Sequence, residues 1–494
     1  MLRLGLPLAL ASSALLAACQ GCQTPKKAPV DPVVTDTSGP SPSLRLYLAS
    51  TVAGALEPCG CSKNQLGGID HLGALIASQA KHAPASLMAA AGPLFFPDPE
   101  MQSAQATQDR WKADTLAGAL ASLHFVGWAP GLNDWAAGPG ALGELTSELK
   151  TTWLGANLTK EANPTTGGAS TAMRTEGGIK VGFVGLSQPT KNGMGPAGVS
   201  VEAANAALKG ALETLRKDGA QVLVGLLAMP RGEALRLVEL TPGLTVAVVG
   251  KPFEQGVAND KPAPPTMIES TLVVQPANHL QSVAVVDLFV RGGSFTFADA
   301  SAEAASAIPA TGSFVRARNV NITGDLGRDD AIHQQMLAYY GKVNDHNKVA
   351  FADRAPPPPG PDGNWYLGVD ACTTCHAEAR KVWDKTAHAH AYKTLSDQHK
   401  EFNLDCVSCH VTGYEKPGGS AVVKNEGLRD VQCENCHGPG GRHRDNPADK
   451  SLIIAHPPPD SCVSSCHHPP HVDAFDAGMK MPLILGPGHG KPAK

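Results

Sequence analysis

"YLGVDACTTCHAEARKVWDKTAHAHAYKTL", residues 366 to 395, carries the set Cys372-Thr-Thr-Cys375-His376, two cysteines with a histidine directly after the second. The pattern returns as Cys406-Val-Ser-Cys409-His410 and as Cys433-Glu-Asn-Cys436-His437. C-x-x-C-H is the attachment sequence for c-type haem: the thiols add to the two vinyl groups of one porphyrin edge, and the histidine becomes the proximal iron ligand. Zinc also uses C-x-x-C pairs, and disulfides can close such loops outside the cytoplasm. Neither explains a histidine after every second cysteine, and zinc would leave one pair over. A stretched copy, Cys462-Val-Ser-Ser-Cys466-His467, follows. One extra residue can bulge outward while both sulfurs still reach the vinyls, so four haems c are expected. A Cys462–Cys466 disulfide loop is the alternative for the last.

Outward from these motifs, the 494 residues leave room for more than one domain. Twelve of the eighteen histidines lie at or after His376, and eight of the twelve cysteines fall between Cys372 and Cys466. The chemistry is concentrated in the last quarter of the chain. A net charge of -4 with 17% charged residues gives no footprint of a nucleic-acid partner. The N-terminus, "MLRLGLPLALASSALLAACQ", has one arginine, a short apolar run and small residues, which reads as an export signal. It ends in Leu16-Ala17-Ala18-Cys19, a lipobox-like sequence in which Cys19 would be acylated and anchored to a membrane surface. An ordinary cleaved signal or an uncleaved anchor is the plainer reading. Residues 1–18 are thus a lipoprotein signal peptide and 19–43, rich in Pro and Ser, a flexible tether. The expected location is the periplasmic or cell-surface side of a bacterial membrane, the outer membrane in the first instance.

From residue 44 to 300, short Val- and Leu-rich runs such as "LRLYLAS", "SLMAAAG", "KVGFVGLS", "AQVLVGLLA" and "LTVAVVG" alternate with helical stretches such as "VEAANAALKGALETLRKDG". That alternation predicts an α/β domain built as a layered sandwich. Its segments "EPCGCSKNQLGGIDHLGALI", "WLGANLT", "KVGFVGLSQP" and "VQPANHLQSVAVVDL" resemble the 5′-nucleotidase-type metallophosphoesterase superfamily. Active members hold two metal ions through Asp-x-His, Gly-Asp, Asn-His and Gly-His-x-His motifs, because paired cations clamp the phosphate. The corresponding positions here hold Thr51 and Ala53, Gly92-Pro93, Asn133-Asp134 and Lys251-Pro252-Phe253. The resemblance therefore implies a scaffold without phosphoesterase activity. Cys59 and Cys61, one residue apart, read either as a metal-binding or redox-contacting thiol pair or as structural thiols. Residues 301–363 read as a helical connector ending in the stiff "RAPPPPGPDG" linker.

Residues 364–494 form the expected haem domain. Beyond the proximal set His376, His410, His437 and His467, the distal candidates are His388 and His390 on one predicted helix and His443 after a Gly-rich turn. His489, in a Gly/Pro-rich tail, reads as a surface residue. The segments "YLGVDACTTCHAEARKVWDKTAHAHAYKTL", "LDCVSCHVTGYEKPGG" and "VQCENCHGPGGRH" resemble the tetrahaem cytochrome c-554 family over about residues 364 to 475. The resemblance implies a small, mainly α-helical domain whose core is closely packed haem, with most irons bound by two histidines and one able to be five-coordinate. It implies distal ligands from His388 or His390 and from His443. Two functions follow as expectations: an electron carrier serving redox partner proteins, or a multihaem enzyme acting on a small nitrogen compound at an open iron.

Overall fold

The computed structural model describes residues 39–59, 65–158, 168–190, 199–301, 309–469, 471–472 and 475–489. The leader, Cys19, Cys22, most of the tether, Cys61 and the Cys59 side chain lie outside the described residues. Two six-stranded mixed sheets face each other. The first runs, edge to edge, Phe297–Asp299, Ser313–Asn321, Ser282–Phe289, Leu44–Ser50, Ser86–Ala91 and Phe125–Ala129. The second runs Ala263–Ile268, Thr271–Gln275, Val246–Gly250, Val222–Ala228, Ile179–Ser187 and Thr171–Glu176. The continuous apolar runs become the central strands because both faces of those strands are covered.

The period of two along a strand sorts its side chains into layers. Leu44, Leu46 and Leu48 enter the core between the sheets, with Val181, Phe183, Val224 and Leu226 opposite. Tyr47 and Ala49 point the other way, onto a layer of helices that includes Ile69–Gln79, Ala106–Ala121 and Gly138–Leu149. Helices Ala204–Lys217 and Arg231–Leu240 cover the outer face of the second sheet. The result is the expected α/β layered sandwich, in four layers.

Arg45 breaks the apolar pattern of its strand, yet it is only 1% exposed. Antiparallel register sets it opposite Asp287. Its Nε and Nη2 donate to the two carboxylate oxygens at 2.5 and 2.8 Å, and its Nη1 donates to Gln79 Oε1 at 2.7 Å. A buried guanidinium persists because this paired geometry offsets its desolvation.

The boundary expected at residue 300 falls inside the sheet. Ser313–Asn321 pairs along its whole length with Ser282–Phe289 and belongs to the sandwich. Its sequence, "SFVRARNVN", mixes polar and apolar residues because one face lies toward solvent. The helix Asp330–Ala350 also belongs there, burying Ile332, Met336, Tyr339, Tyr340 and Val343 in the helical layer.

The C-terminal region is built of short helices, the longest among its described residues being Ala377–Trp383. Its apolar core is small: Tyr392, Leu395, Val407, Val411 and Val422. Polar side chains join it to the sandwich. Asp405 accepts from Gln105 Nε2 at 2.5 Å and from Lys112 Nζ at 2.9 Å. Gln108 bonds Asn403 and the Leu404 N–H, and Asn347 Nδ2 donates to the Phe402 carbonyl. Lys400 pairs with Glu57, which also accepts from Tyr340.

Candidate haem-attachment site

The third motif lies within the helical turn Cys433–His437 and the second in Val407–His410 with Cys406 as its cap, while the first starts in Val369–Thr373 and the stretched one in Asp460–Ser465, their second cysteines and histidines following on hydrogen-bonded turns. A single helical turn brings both thiols and the following histidine to one side of the backbone, as a shared porphyrin edge requires. In the stretched motif, the His467 N–H bonds back to the Cys462 carbonyl at 2.9 Å, so the extra residue is absorbed within the turn.

The motifs meet in pairs. Cys372 hydrogen-bonds Cys433, which raises the Cys372 thiol above its ordinary value. Cys409 hydrogen-bonds Cys466, which brings the Cys409 thiol down to about 6. Burial and the neighbouring Cys462 and Cys433 push Cys436 up to about 11. No disulfide joins Cys462 to Cys466.

Glu434, in a variable position of the third motif, organises the first. Its carboxylate, buried at 3% exposure, accepts from the Leu367, Gly368 and Gly440 backbone N–H groups at 2.7–3.0 Å. Gln432 Oε1 accepts from the Val369 N–H at 2.6 Å, so the turn of the first motif is capped by the approach to the third. Asp430 accepts from the Tyr392 N–H at 2.8 Å, and Trp383 Nε1 donates to the Val431 carbonyl at 2.8 Å. None of these residues stands out in the sequence. The available signal is the polar Glu-Asn pair between Cys433 and Cys436, where the other regular motifs have Thr-Thr and Val-Ser.

Two of the histidines expected as proximal ligands are already oriented. His410 Nδ1 contacts the Ala391 carbonyl at 2.5 Å, and His437 Nδ1 contacts the Ile454 carbonyl at 2.7 Å. An Nδ1–H held by a carbonyl leaves Nε2 as the free donor to a metal. His376 is exposed, and His467 stacks on Phe475 with ring centres 4.0 Å apart.

The continuous helix expected to carry His388 and His390 is broken. Helix Ala377–Trp383 ends, Thr386 turns extended with its hydroxyl donating to the Trp383 carbonyl, and a short 3₁₀ turn, Ala387–His390, begins. Threonine competes for backbone hydrogen bonds in this way, which ends the helix despite its Ala- and Lys-rich neighbours. The two histidines still diverge. His390 is exposed beside Asp430, whereas His388 is half-buried and faces His467, with ring centres 6.3 Å apart and planes 43° apart. Metal–imidazole bonds are about 2 Å long, so one iron between two imidazoles separates the ring centres by roughly 6 Å. The donor set fits haem: paired thiols with an adjacent imidazole, and a second imidazole across the gap. Burial holds His388, His410 and His467 below the usual histidine value, favouring the neutral form that binds metal. The third distal candidate, His443, has a buried Nδ1 with no partner among the described residues.

Residues 371–438 match the family model described as cytochrome c554 and c-prime. Cytochrome c-554 of Nitrosomonas europaea is 34% identical over 95 residues, 16% of this chain and 40% of that protein. The chain thus spans less than half the length of the curated relative it matches. Similar solved structures include sulfate thiohydrolase SoxB of Thermus thermophilus in complex with glycerol, at TM-score 0.49 and 14% identity over 62% of each chain. A 5′-nucleotidase precursor, also from Thermus thermophilus, gives TM-score 0.48 and 19% identity, covering 64% of this chain and 61% of that one. Reduced cytochrome c554 from Nitrosomonas europaea gives TM-score 0.19 and 25% identity, covering 27% of this chain and 80% of that one. The family match implies covalently bound haem c in the C-terminal region and fits an electron carrier.

Proposed function

We propose that this chain is an exported, membrane-tethered cytochrome in which residues 364 to 494 hold four haems c and pass single electrons between redox partner proteins. The cysteine pairs Cys372/Cys375, Cys406/Cys409, Cys433/Cys436 and Cys462/Cys466 carry the attachments, with His376, His410, His437 and His467 as proximal ligands. Cys19 is the lipidated anchor, on the periplasmic or cell-surface side of a bacterial outer membrane. The observation that carries the reading is the convergence of the thiol–histidine sets in pairs, with His388 facing His467 across a gap that fits one iron.

When bound, haem supplies reversible one-electron chemistry whose potential follows axial ligation and burial. The chain's part is to fix the donors. Carbonyls at Ala391 and Ile454 orient two proximal imidazoles, and Glu434 and Gln432 lock the first motif to the third. With His388 and His467 both available, the haem held at the fourth motif would have no open position for substrate, which supports transfer over catalysis there.

The sandwich serves as a scaffold without hydrolytic activity. Thr51 donates to the Lys251 carbonyl at 3.1 Å, Lys251 Nζ pairs with Asp260 at 2.5 Å, and the Asp134 carboxylate accepts three backbone N–H groups. These groups are committed to structure rather than to a pair of cations. Added manganese or zinc should elicit no nucleotide hydrolysis, and robust turnover would refute the scaffold reading.

Intact mass of protein matured in a host with a haem-ligation system tests the central claim. Four haem additions are expected. Three additions with a Cys462–Cys466 disulfide would remove the fourth site.

A further inference from the structure

Helix Ala106–Ala121 of the sandwich carries a polar stripe. Gln105 at its cap, Gln108, Asp109 and Lys112 follow the period of 3.6 and gather on one side. They lie beside the apolar row Ala113, Leu116, Ala117 and Leu120, which enters the helical layer. The stripe meets residues 400–405, the chain that leads into the second motif. Lys112 Nζ donates to Asp405 at 2.9 Å, and Gln105 Nε2 donates to the same carboxylate at 2.5 Å. Gln108 Oε1 accepts from the Leu404 N–H at 3.0 Å, and Asn344 of helix Asp330–Ala350 accepts from the Phe402 N–H at 3.0 Å. Lys400, at the start of the segment, pairs with Glu57.

Both ion pairs cross the seam, with opposite polarity: the sandwich gives the cation to one and the carboxylate to the other. Asp405 is the residue before Cys406, the first thiol of the second motif. The side chains of Lys112 and Asp405 are only 20% and 29% exposed, so their fields are screened less than those of surface charges. After burial, which raises the Cys406 thiol most, these same four groups act on it: Asp405 and Glu57 raise it, and Lys400 and Lys112 lower it. A redox centre bonded to that sulfur sits in the same field. Reduction adds an electron, so a nearby carboxylate opposes it and a nearby ammonium favours it. Asp405 is fixed by the chain beside the attachment. Its charge can only be cancelled, and the cation that cancels it belongs to the sandwich.

We infer that Lys112, by neutralising Asp405, holds up the reduction potential of the haem attached at Cys406 and Cys409. The sandwich is then a partner that sets a potential as well as a scaffold. This rests on the haem reading above, and the two can fail separately: covalent haem count tests that reading, and the potential of one haem tests this one.

The test is a spectroelectrochemical titration of full-length holoprotein. It is run at pH 8, well above the value of about 6 to which burial and Asp405 push Asp109, so that protonation there does not offset a lost charge. Lys112→Gln keeps a donor for Asp405 and removes the charge. It should leave the number of attached haems unchanged by intact mass and lower the potential of one haem. The expected size is on the order of a tenfold change in that haem's reduced-to-oxidised ratio at a fixed potential. Lys112→Arg should keep the wild-type value. Asp405→Asn should move the same haem upward, and the two substitutions together should bring it back toward wild type. A seam that merely loosened would admit water and shift the haem the same way in both single variants, so the opposite signs decide the matter even where a variant is less stable. In protein carrying Cys406→Ser and Cys409→Ser, adding Lys112→Gln should leave the remaining potentials unchanged. The inference is overturned by potentials that Lys112→Gln does not move, by shifts of one sign in both single variants, by an equal shift in Lys112→Arg, or by a shift in the chain that lacks the second haem.

Discussion

Replacing His388 with alanine is expected to turn one fully low-spin haem into a high-spin or water-bound one, while every covalent attachment survives. In the proposed arrangement the thioether bonds would come from Cys462 and Cys466 and the proximal bond from His467, so removing the opposite imidazole should leave attachment intact. What changes is the sixth position. His388 and His467 lie 6.3 Å apart, centre to centre, and burial keeps both imidazoles toward the neutral form. The potential of that haem should move as well, because axial-ligand identity is one of its main controls. His390→Ala is the internal control: His390 is exposed beside Asp430 and should leave spin state and potential nearly unchanged. Spin resonance and a redox titration of the two variants read both effects. If each retains the wild-type spectrum and potentials, the His388 segment supplies no ligand, and the donor must be sought at His443, His456 or His471.

Replacing Asp287 with alanine is expected to destabilise the sandwich by about 3–5 kcal/mol, the cost of leaving a buried charge unpaired. Arg45 is enclosed between its own strand, the partner strand and Gln79, and Arg318 Nη1 donates to the same carboxylate at 3.0 Å. Removing Asp287 would strand two guanidinium groups on one side of the first sheet. Unfolding of a two-unit chain need not be a single transition, so a local readout is preferable. Amide exchange in Leu44–Ser50 should quicken by roughly a hundredfold to a few thousandfold, since each 1.4 kcal/mol is about a factor of ten. Arg45→Met combined with Asp287→Leu should recover much of the loss, because an apolar pair of similar size carries no desolvation cost. Unchanged exchange in the single variant would show that water reaches the guanidinium after all.

The sandwich is legible where its strands are buried on both faces. "VGFVGL" and "VLVGLLA" are apolar without interruption, and the structure pairs them in parallel in the middle of the second sheet. "SFVRARNVN" is not legible: arginines and asparagines on a half-solvated strand look like connector, and only its pairing with Ser282–Phe289 identifies it. The same division runs through the haem region. Attachment is a local chemistry, so cysteine spacing and an adjacent histidine announce it within five residues. A distal ligand comes from wherever the chain folds back, and no spacing rule encodes that. His388 is readable as a candidate but not as the partner of His467. The Gly/Pro-rich tail reads as loose surface, yet its glycines are what let it press against Ala379 and Val382. Glu434 escapes notice because its role, tying three distant backbone N–H groups together, exists only after folding.

The seam between the two halves of the molecule also dictates an order of events during maturation. Asp405, the residue before Cys406, is clasped by Gln105 and Lys112 of the sandwich. Burial, reinforced by the Asp405 and Glu57 carboxylates, pushes the Cys406 thiol up to about 12. A thiol in that state is protonated, and it is the thiolate that is the nucleophile. The sandwich precedes the second attachment segment in the chain, so a surface ready to receive that segment is synthesised before it. If the halves meet before attachment, a chain one haem short is the expected product, with Cys406 and Cys409 the unmodified pair in its peptide map.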